Sequence, residues 1–76
     1  MTKRNQLGIY IDSCKDLNYT KLAKHLGMSR QNFWLKAHEP IKVTNISLGT
    51  FNRIARVQNI SVGELVNRIM NITEEY

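Results

Sequence analysis

The chain contains one cysteine and one proline, and its four glycines are isolated from one another. A single cysteine cannot form a disulfide framework or a zinc site, which excludes small secreted scaffolds and indicates a reducing cytoplasm. The low proline and glycine content, with 42% hydrophobic residues, argues against a disordered or low-complexity chain. We therefore expect a packed globular protein.

The sequence also has no long hydrophobic run. Its polar start, residues 1–6, is followed only by the short apolar stretch 7–11, far below the roughly 18 apolar residues of a membrane span. We expect no membrane partner and a cytoplasmic location. At 76 residues the chain is long enough for one compact domain, spanning 1–76, and too short for a second.

Catalytic and metal-binding motifs are missing as well. His25 and His38 have no Cys, Asp or Glu partners at ligand spacing, and Cys14 falls in an apolar helical pattern that predicts burial as a small hydrophobe. Isolated glycines cannot form a phosphate-binding loop. We expect no enzymatic activity, no metal, no cofactor and no small-molecule ligand.

Acidic residues are scarce, with 6 Asp and Glu against 11 Lys and Arg, and the net charge is +5. Residues 20–45 carry five cationic side chains against Glu39 alone, whereas residues 46–76 balance three Arg against three Glu. A concentrated basic region favours a polyanionic partner, because phosphate neutralisation releases counterions. On charge alone, an ordinary solvated basic face remains the alternative.

Hydrophobic periodicity predicts a compact all-α domain of five helices. The first covers about residues 4–16, the second starts near Thr20 and ends at Gly27, and the third runs from a Ser29 cap to Glu39-Pro40. Residues 41–46 are interpreted as a loop, with a short strand as the alternative.

Two more capped helices complete the chain. Ser47 predicts the start of the fourth helix, with Leu48, Phe51 and Ile54 on its core face, and Asn59 marks its end. Ser61 and Glu64 form a capping-box pattern for the fifth, in which each side chain accepts a hydrogen bond from a free backbone N–H.

Residues 19–37 have the pattern of a helix-turn-helix. Ala23 is small enough for two helices to approach closely, Gly27 permits the tight turn, and Ser29 starts the next helix. This segment resembles the helix-turn-helix of the Cro/cI (Xre) repressor family, and the likeness continues through residues 47–57 and 59–65. The resemblance implies a five-helix, lambda-repressor-like domain that binds operator DNA, usually as a homodimer.

The resemblance also implies which side chains contact DNA. Arg30 and Gln31 occupy the first base-reading positions, where Arg pairs with guanine and Gln with adenine. The remaining base-reading candidates are Asn32, Trp34 and Leu35. The phosphate-binding candidates, on the second helix and on the other side of the third, are Thr20, Lys21, Lys24, Ser29, Lys36, Lys42, Thr44 and Asn45.

The sequence departs from the family pattern at one position and in the length of one segment. Lys36 stands where the family usually has an apolar residue, so we expect Ala37 to make the inward contact instead. Trp34 then has two interpretations: a half-buried core aromatic, or a groove-facing residue that touches a thymine methyl group. The segment 38–46 is also longer than is usual in the family.

The favoured function is a small Cro-like repressor of phage or mobile-element origin that acts on double-stranded DNA. The alternative is an antirepressor or antitoxin that acts by binding another protein, such as another repressor. Apolar residues outside the core, Ile9, Val57 and Met70, fit either a homodimer or a protein partner. Single-strand or RNA binding is disfavoured, because the six aromatic residues are scattered.

Overall fold

A computed structural model describes residues 3–76, and Met1 and Thr2 of the expected domain lie outside the described residues. Within 3–76 the chain forms helices and turns, and it contains no strand. The α-helices are α1 (Gln6–Ser13), α2 (Tyr19–Leu26), α3 (Arg30–His38), α4 (Leu48–Gln58) and α5 (Val62–Met70). The prediction of an all-α fold with five helices is confirmed.

Side-chain caps define where most helices begin. Ser29, Ser47 and Ser61 each accept a hydrogen bond from the backbone N–H three residues later, as predicted. Asn18 does the same for α2, so this helix begins at Tyr19, one residue before the predicted start near Thr20. Each cap satisfies an N–H group that the helix itself leaves free.

Left-handed residues end two of the helices. Gly27 (φ 68°) ends α2 and Asn59 (φ 56°) ends α4, both at the predicted positions. The capping box at Ser61 forms only in part: the Glu64 carboxylate accepts a hydrogen bond from Arg68 at 2.8 Å instead of reaching back to the start of α5. An i, i+4 ion pair thus replaces the second half of the box.

The first helix is shorter than the predicted 4–16. It begins after Asn5, whose side-chain oxygen accepts a hydrogen bond from the Gly8 N–H at 3.0 Å, and it ends before Cys14, which has extended backbone. Leu17 is nevertheless buried, and it reaches the core from the linker rather than from the helix.

The prediction for Leu48 is wrong. Leu48 is 69% exposed, and the buried residues of α4 are Thr50, Phe51, Ile54 and Ala55. Leu48 is the first residue of α4, and helical side chains tilt toward the N-terminus, so its side chain projects past the edge of the core. Thr50 is buried in spite of its hydroxyl group because that group hydrogen-bonds to Ser47 Oγ at 2.8 Å.

The core lies between α1, α4 and α5 on one side and the helix-turn-helix pair on the other. Its largest fully buried side chains are Leu7, Ile11, Leu22, Phe33, Ile54, Leu65 and Ile69. The segment between α3 and α4 forms no strand, as the loop interpretation predicts, but it contains a 3-10 turn (Val43–Asn45) whose Val43 is buried. This burial fixes the segment against the core.

Candidate nucleic-acid interface

The α2–α3 turn has the geometry that the sequence pattern predicts. Ala23 is 2% exposed, and its carbonyl oxygen accepts a hydrogen bond from the Met28 N–H at 3.1 Å across the turn. The positive φ of Gly27 reverses the chain, and Ser29 then caps α3 through the Asn32 N–H at 3.1 Å. The two helices are therefore held together by backbone hydrogen bonds as well as by packing.

The orientation of α3 is set by Phe33 and Ala37, which are both fully buried. Their burial leaves Arg30, Gln31 and Asn32 exposed in the first turn of the helix. Leu35, on the side opposite the core, is 45% exposed. Four of the five base-reading candidates thus have solvent-accessible side chains.

Trp34, the fifth candidate, is half-buried, but it lies outside the hydrophobic core cluster. Its ring stacks on that of His38 with the centroids 3.8 Å apart and the planes 13° apart. His38 Nδ1 lies 2.7 Å from the Trp34 carbonyl oxygen, which fixes the imidazole over the indole. Trp34 also lines an open cleft with Arg30 and Gln31, so it lies on the surface beside the first turn of α3.

The departure at Lys36 has the structural outcome that the sequence predicts. Lys36 is exposed, and Ala37 makes the inward contact in its place. The end of α3 is held by Asn5, whose side-chain amide donates to the Lys36 and Glu39 carbonyl oxygens and whose backbone N–H donates to the Ala37 carbonyl oxygen. The N-terminal end of α1 thereby caps the last turn of α3.

All eight phosphate-binding candidates are exposed. They are Thr20, Lys21, Lys24, Ser29, Lys36, Lys42, Thr44 and Asn45. Lys42 has acidic neighbours: it lines a cleft together with Glu74 and Glu75 of the C-terminal tail. Lys42, like Lys21 and Lys24, forms no ion pair among the described residues.

The start of α2 packs against α3. Tyr19 packs against Phe33 with ring centroids 5.8 Å apart, and its hydroxyl is buried without a hydrogen-bond partner among the described residues. Burial, with a contribution from the negative charge of Asp12, raises the pKa of Tyr19 to about 12. The packing of Tyr19 fixes the free N–H groups of the first turn of α2 relative to α3.

Charge is strongly segregated in the chain. The sequence has no Asp or Glu between Asp16 and Glu39, and none between Glu39 and Glu64. Consequently α2, α3 and α4 carry Lys and Arg but not a single carboxylate, and the acidic residues lie on or next to α1, after α3, on α5 and in the C-terminal tail. The basic surface therefore includes α4.

Sequence reasoning did not include Arg53 and Arg56, on the outer side of the fourth helix, among the DNA-contacting candidates. Both are exposed on α4, and they line a cleft with His25 at the C-terminal end of α2. The charge count over residues 46–76 gave neutrality because it combined the two arginines of α4 with the glutamates of α5 and the tail. A count for each predicted helix would have found them.

Residues 3–76 contain no group of three or more His, Cys, Asp or Glu side chains arranged to hold a metal ion. None of the helices in this range has the length and apolar character needed to cross a membrane.

An exposed polar first turn on the second helix of a tight helix-turn-helix, flanked by carboxylate-free basic helices, defines a DNA-binding domain. The family model of the Cro/C1-type HTH DNA-binding domain matches residues 13–71. The chain belongs to this family, and double-stranded DNA is the partner that the family indicates. No curated protein and no solved structure matches the chain.

Proposed function

We propose that the protein is a sequence-specific transcriptional regulator, a Cro-like repressor of phage or mobile-element origin that binds an operator in the cytoplasm. The chain acts as one domain, without catalytic activity. The observation that carries this proposal is the exposed face of α3, where Arg30, Gln31 and Asn32 surround the capped start of a helix held by Phe33 and Ala37. An α-helix with such a face fits the major groove.

In this proposal the first turn of α3 reads bases. Arg30 donates to guanine and Gln31 pairs with adenine, while Leu35 and the edge of Trp34 offer apolar contact to thymine methyl groups. Asn32 contacts a base or an adjacent phosphate. The His38 stack holds the Trp34 ring in place, so this contact needs little ordering on binding.

The phosphate contacts surround this face. Thr20, Lys21 and Lys24 on α2, with Ser29 in the turn, bind one strand, and Lys36, Lys42, Thr44 and Asn45 bind the backbone on the other side. The exposure of all eight side chains supports these roles. Such contacts set the register of the protein on the duplex but do not discriminate between sequences.

The repressor acts as a homodimer in this proposal. Leu48 (69% exposed) and Met70 (56% exposed) are large apolar side chains on the surface, and a second copy would remove them from water. The half-buried Val57 packs against the core and contributes less free surface than its sequence position indicates. The same exposed side chains would serve a protein partner if the chain were an antirepressor or antitoxin.

Selection of binding sites from a random duplex pool at physiological salt tests the proposal. We expect enrichment of inverted half-sites about 10 base pairs apart, as a dimer of a helix-turn-helix protein requires. A parallel selection with Gln31→Ala should change the enriched sequence. Asn67→Ala, which removes an exposed amide from α5, is the matched control and should leave it unchanged.

A selection without enrichment would contradict the proposal. If the wild-type protein enriches no sequence above a salt-sensitive background, operator binding is excluded. The function would then be that of an antirepressor or antitoxin, and the binding of another protein would be the next measurement.

A further inference from the structure

A second basic site lies outside the face that α3 presents. His25, Gly49, Asn52, Arg53 and Arg56 line one open cleft between the C-terminal end of α2 and the outer face of α4. The Arg53 Nη1 atom donates a hydrogen bond to the His25 carbonyl oxygen at 2.8 Å, which ties the guanidinium group to the wall of this cleft. We refer to these five residues as the α4 cleft.

The positive charge of the α4 cleft is not neutralised within the described chain. The ion pairs among residues 3–76 involve Arg4 with Asp12 and Glu75, and Arg68 with Glu64. Arg53 and Arg56 take part in none of them, and neither α2 nor α4 contains a carboxylate. Arg68, which is also exposed, forms an ion pair with Glu64, and the two arginines of the α4 cleft have no such acidic partner among the described residues.

The chemistry of the α4 cleft fits phosphate oxygens. Guanidinium groups present several N–H donors in a planar fork that matches phosphate, and the Asn52 side chain adds an amide donor at the same opening. A row of phosphates along a nucleic-acid backbone would meet both arginines, which are three residues apart on α4 and therefore on one face of the helix.

The position of the α4 cleft favours a DNA backbone as its ligand, outside the segment that α3 reads. Helix α2 packs against both α3 and α4, so it connects the helix of the reading face with the helix of the α4 cleft. Lys21 and Lys24 are exposed on α2, so the three packed helices α3, α2 and α4 carry exposed cationic side chains in succession and no carboxylate of their own. This continuity with the DNA-binding surface favours a nucleic-acid backbone over an acidic protein segment.

We propose that the α4 cleft binds the phosphate backbone of DNA outside the half-site held by α3. The backbone comes either from the flank of the same duplex, bent around α2, or from a second duplex. The inference rests on the proposed function, because it requires that α3 holds a duplex in the first place.

The salt dependence of DNA affinity tests this inference. The slope of log Kobs against log salt is negative, and each lost phosphate contact reduces its magnitude by about 0.9. In the full-length Arg53→Gln/Arg56→Gln variant, the magnitude of this slope should be smaller than in wild type by about 1.8. Lys15→Gln/Arg68→Gln removes the same charge from the turn after α1 and from α5, and it should leave the slope nearly unchanged. Arg56→Gln alone keeps the Arg53 hydrogen bond and guards against a folding defect.

Duplexes of about two and about four helical turns distinguish the two sources of backbone. A slope change confined to the longer duplex supports flank binding. A change on both, with arginine-dependent capture of a labelled duplex by an immobilised one, supports a second duplex.

An unchanged slope on both lengths, with wild-type binding intact, overturns the inference and leaves the proposed function standing. Absence of wild-type binding to any duplex would overturn both.

Discussion

The backbone of Ala37 lies directly against Gly8, so closely that a Cβ atom at Gly8 would overlap the Ala37 carbonyl oxygen. This contact joins the first turn of α1 to the last turn of α3, next to the hydrogen bonds that Asn5 makes to the same turn. The orientation of α3, and with it the proposed DNA-reading face, therefore depends on a glycine in a different helix.

Gly8→Ala should lower the free energy of unfolding and weaken DNA binding. Displacing packed backbone costs about 1 to 3 kcal/mol. The better helix propensity of alanine offsets about 1 kcal/mol of this cost. Gly63→Ala is the matched control, since Gly63 also lies in the first turn of a helix and its Cβ would meet nothing within 4 Å. Urea denaturation measures both, and equal stability of the two variants would contradict the role given to this contact.

The helices and their caps could be predicted from sequence because their causes are local. Ser29, Ser47 and Ser61 cap through the backbone three residues away, and Gly27 and Asn59 end helices by their own conformation. Such features need no knowledge of the rest of the fold. Hydrophobic periodicity supplied the number and order of the helices.

What sequence could not predict depends on contacts between distant parts of the chain. The exposure of Leu48 follows from where α4 crosses the edge of the core, which periodicity does not report. The half-burial of Trp34 follows from the orientation of α3 that Phe33 and Ala37 impose, whereas its stack on His38 is a local i, i+4 contact within the helix. The Arg4–Glu75 pair joins residues at opposite ends of the chain, and no spacing rule connects them.

Gln31→Ala should weaken binding to the preferred site by about 1 to 3 kcal/mol and relax the preference at one base pair, because it removes a bidentate base contact. The side chain is exposed and α3 is held by Phe33 and Ala37, so the fold should be unaffected. Competition between the selected site and its single-base variants measures the effect. An unchanged preference at every position would remove Gln31 from the base-reading set.

Lys24→Ala should lower affinity almost equally for all sequences and reduce the salt slope by about one, since a phosphate contact carries no sequence information. Lys24 is exposed on α2 and takes part in no ion pair among the described residues. Titrations at several salt concentrations, with specific and unrelated duplexes, measure both quantities. A loss limited to the specific site would assign Lys24 to base reading instead.

Tyr19→Phe should leave stability at neutral pH unchanged within about 1 kcal/mol or raise it, because the buried hydroxyl has no partner to lose. The raised pKa of about 12 means that the folded state disfavours tyrosinate. The contribution of the Tyr19 hydroxyl to the free energy of unfolding is fully present below the unfolded-state pKa of about 10, and it is lost as pH rises toward 12. Wild type should therefore lose stability over this range, and the variant should lose less. A large neutral-pH destabilisation would show that the hydroxyl does bind a partner.

Glu75 holds the C-terminal tail to Arg4. Its carboxylate accepts hydrogen bonds from the Arg4 backbone N–H at 2.7 Å and from the guanidinium at 2.9 Å, and these bonds lower the pKa of Glu75. A lowered folded-state pKa stabilises the fold above the unfolded value of about 4.3, and this stability is lost as pH falls through the folded value.

Carbon-detected NMR titration should therefore show Glu75 losing its proton below that reference value. Arg4→Gln should return the titration toward it. Glu74→Gln, which alters the neighbouring carboxylate outside the ion pairs of the described chain, is the control and should leave the Glu75 titration nearly in place. Because the pair is exposed, high salt should also weaken the shift. An ordinary titration of Glu75 in wild type would mean that the tail does not rest on Arg4 in solution.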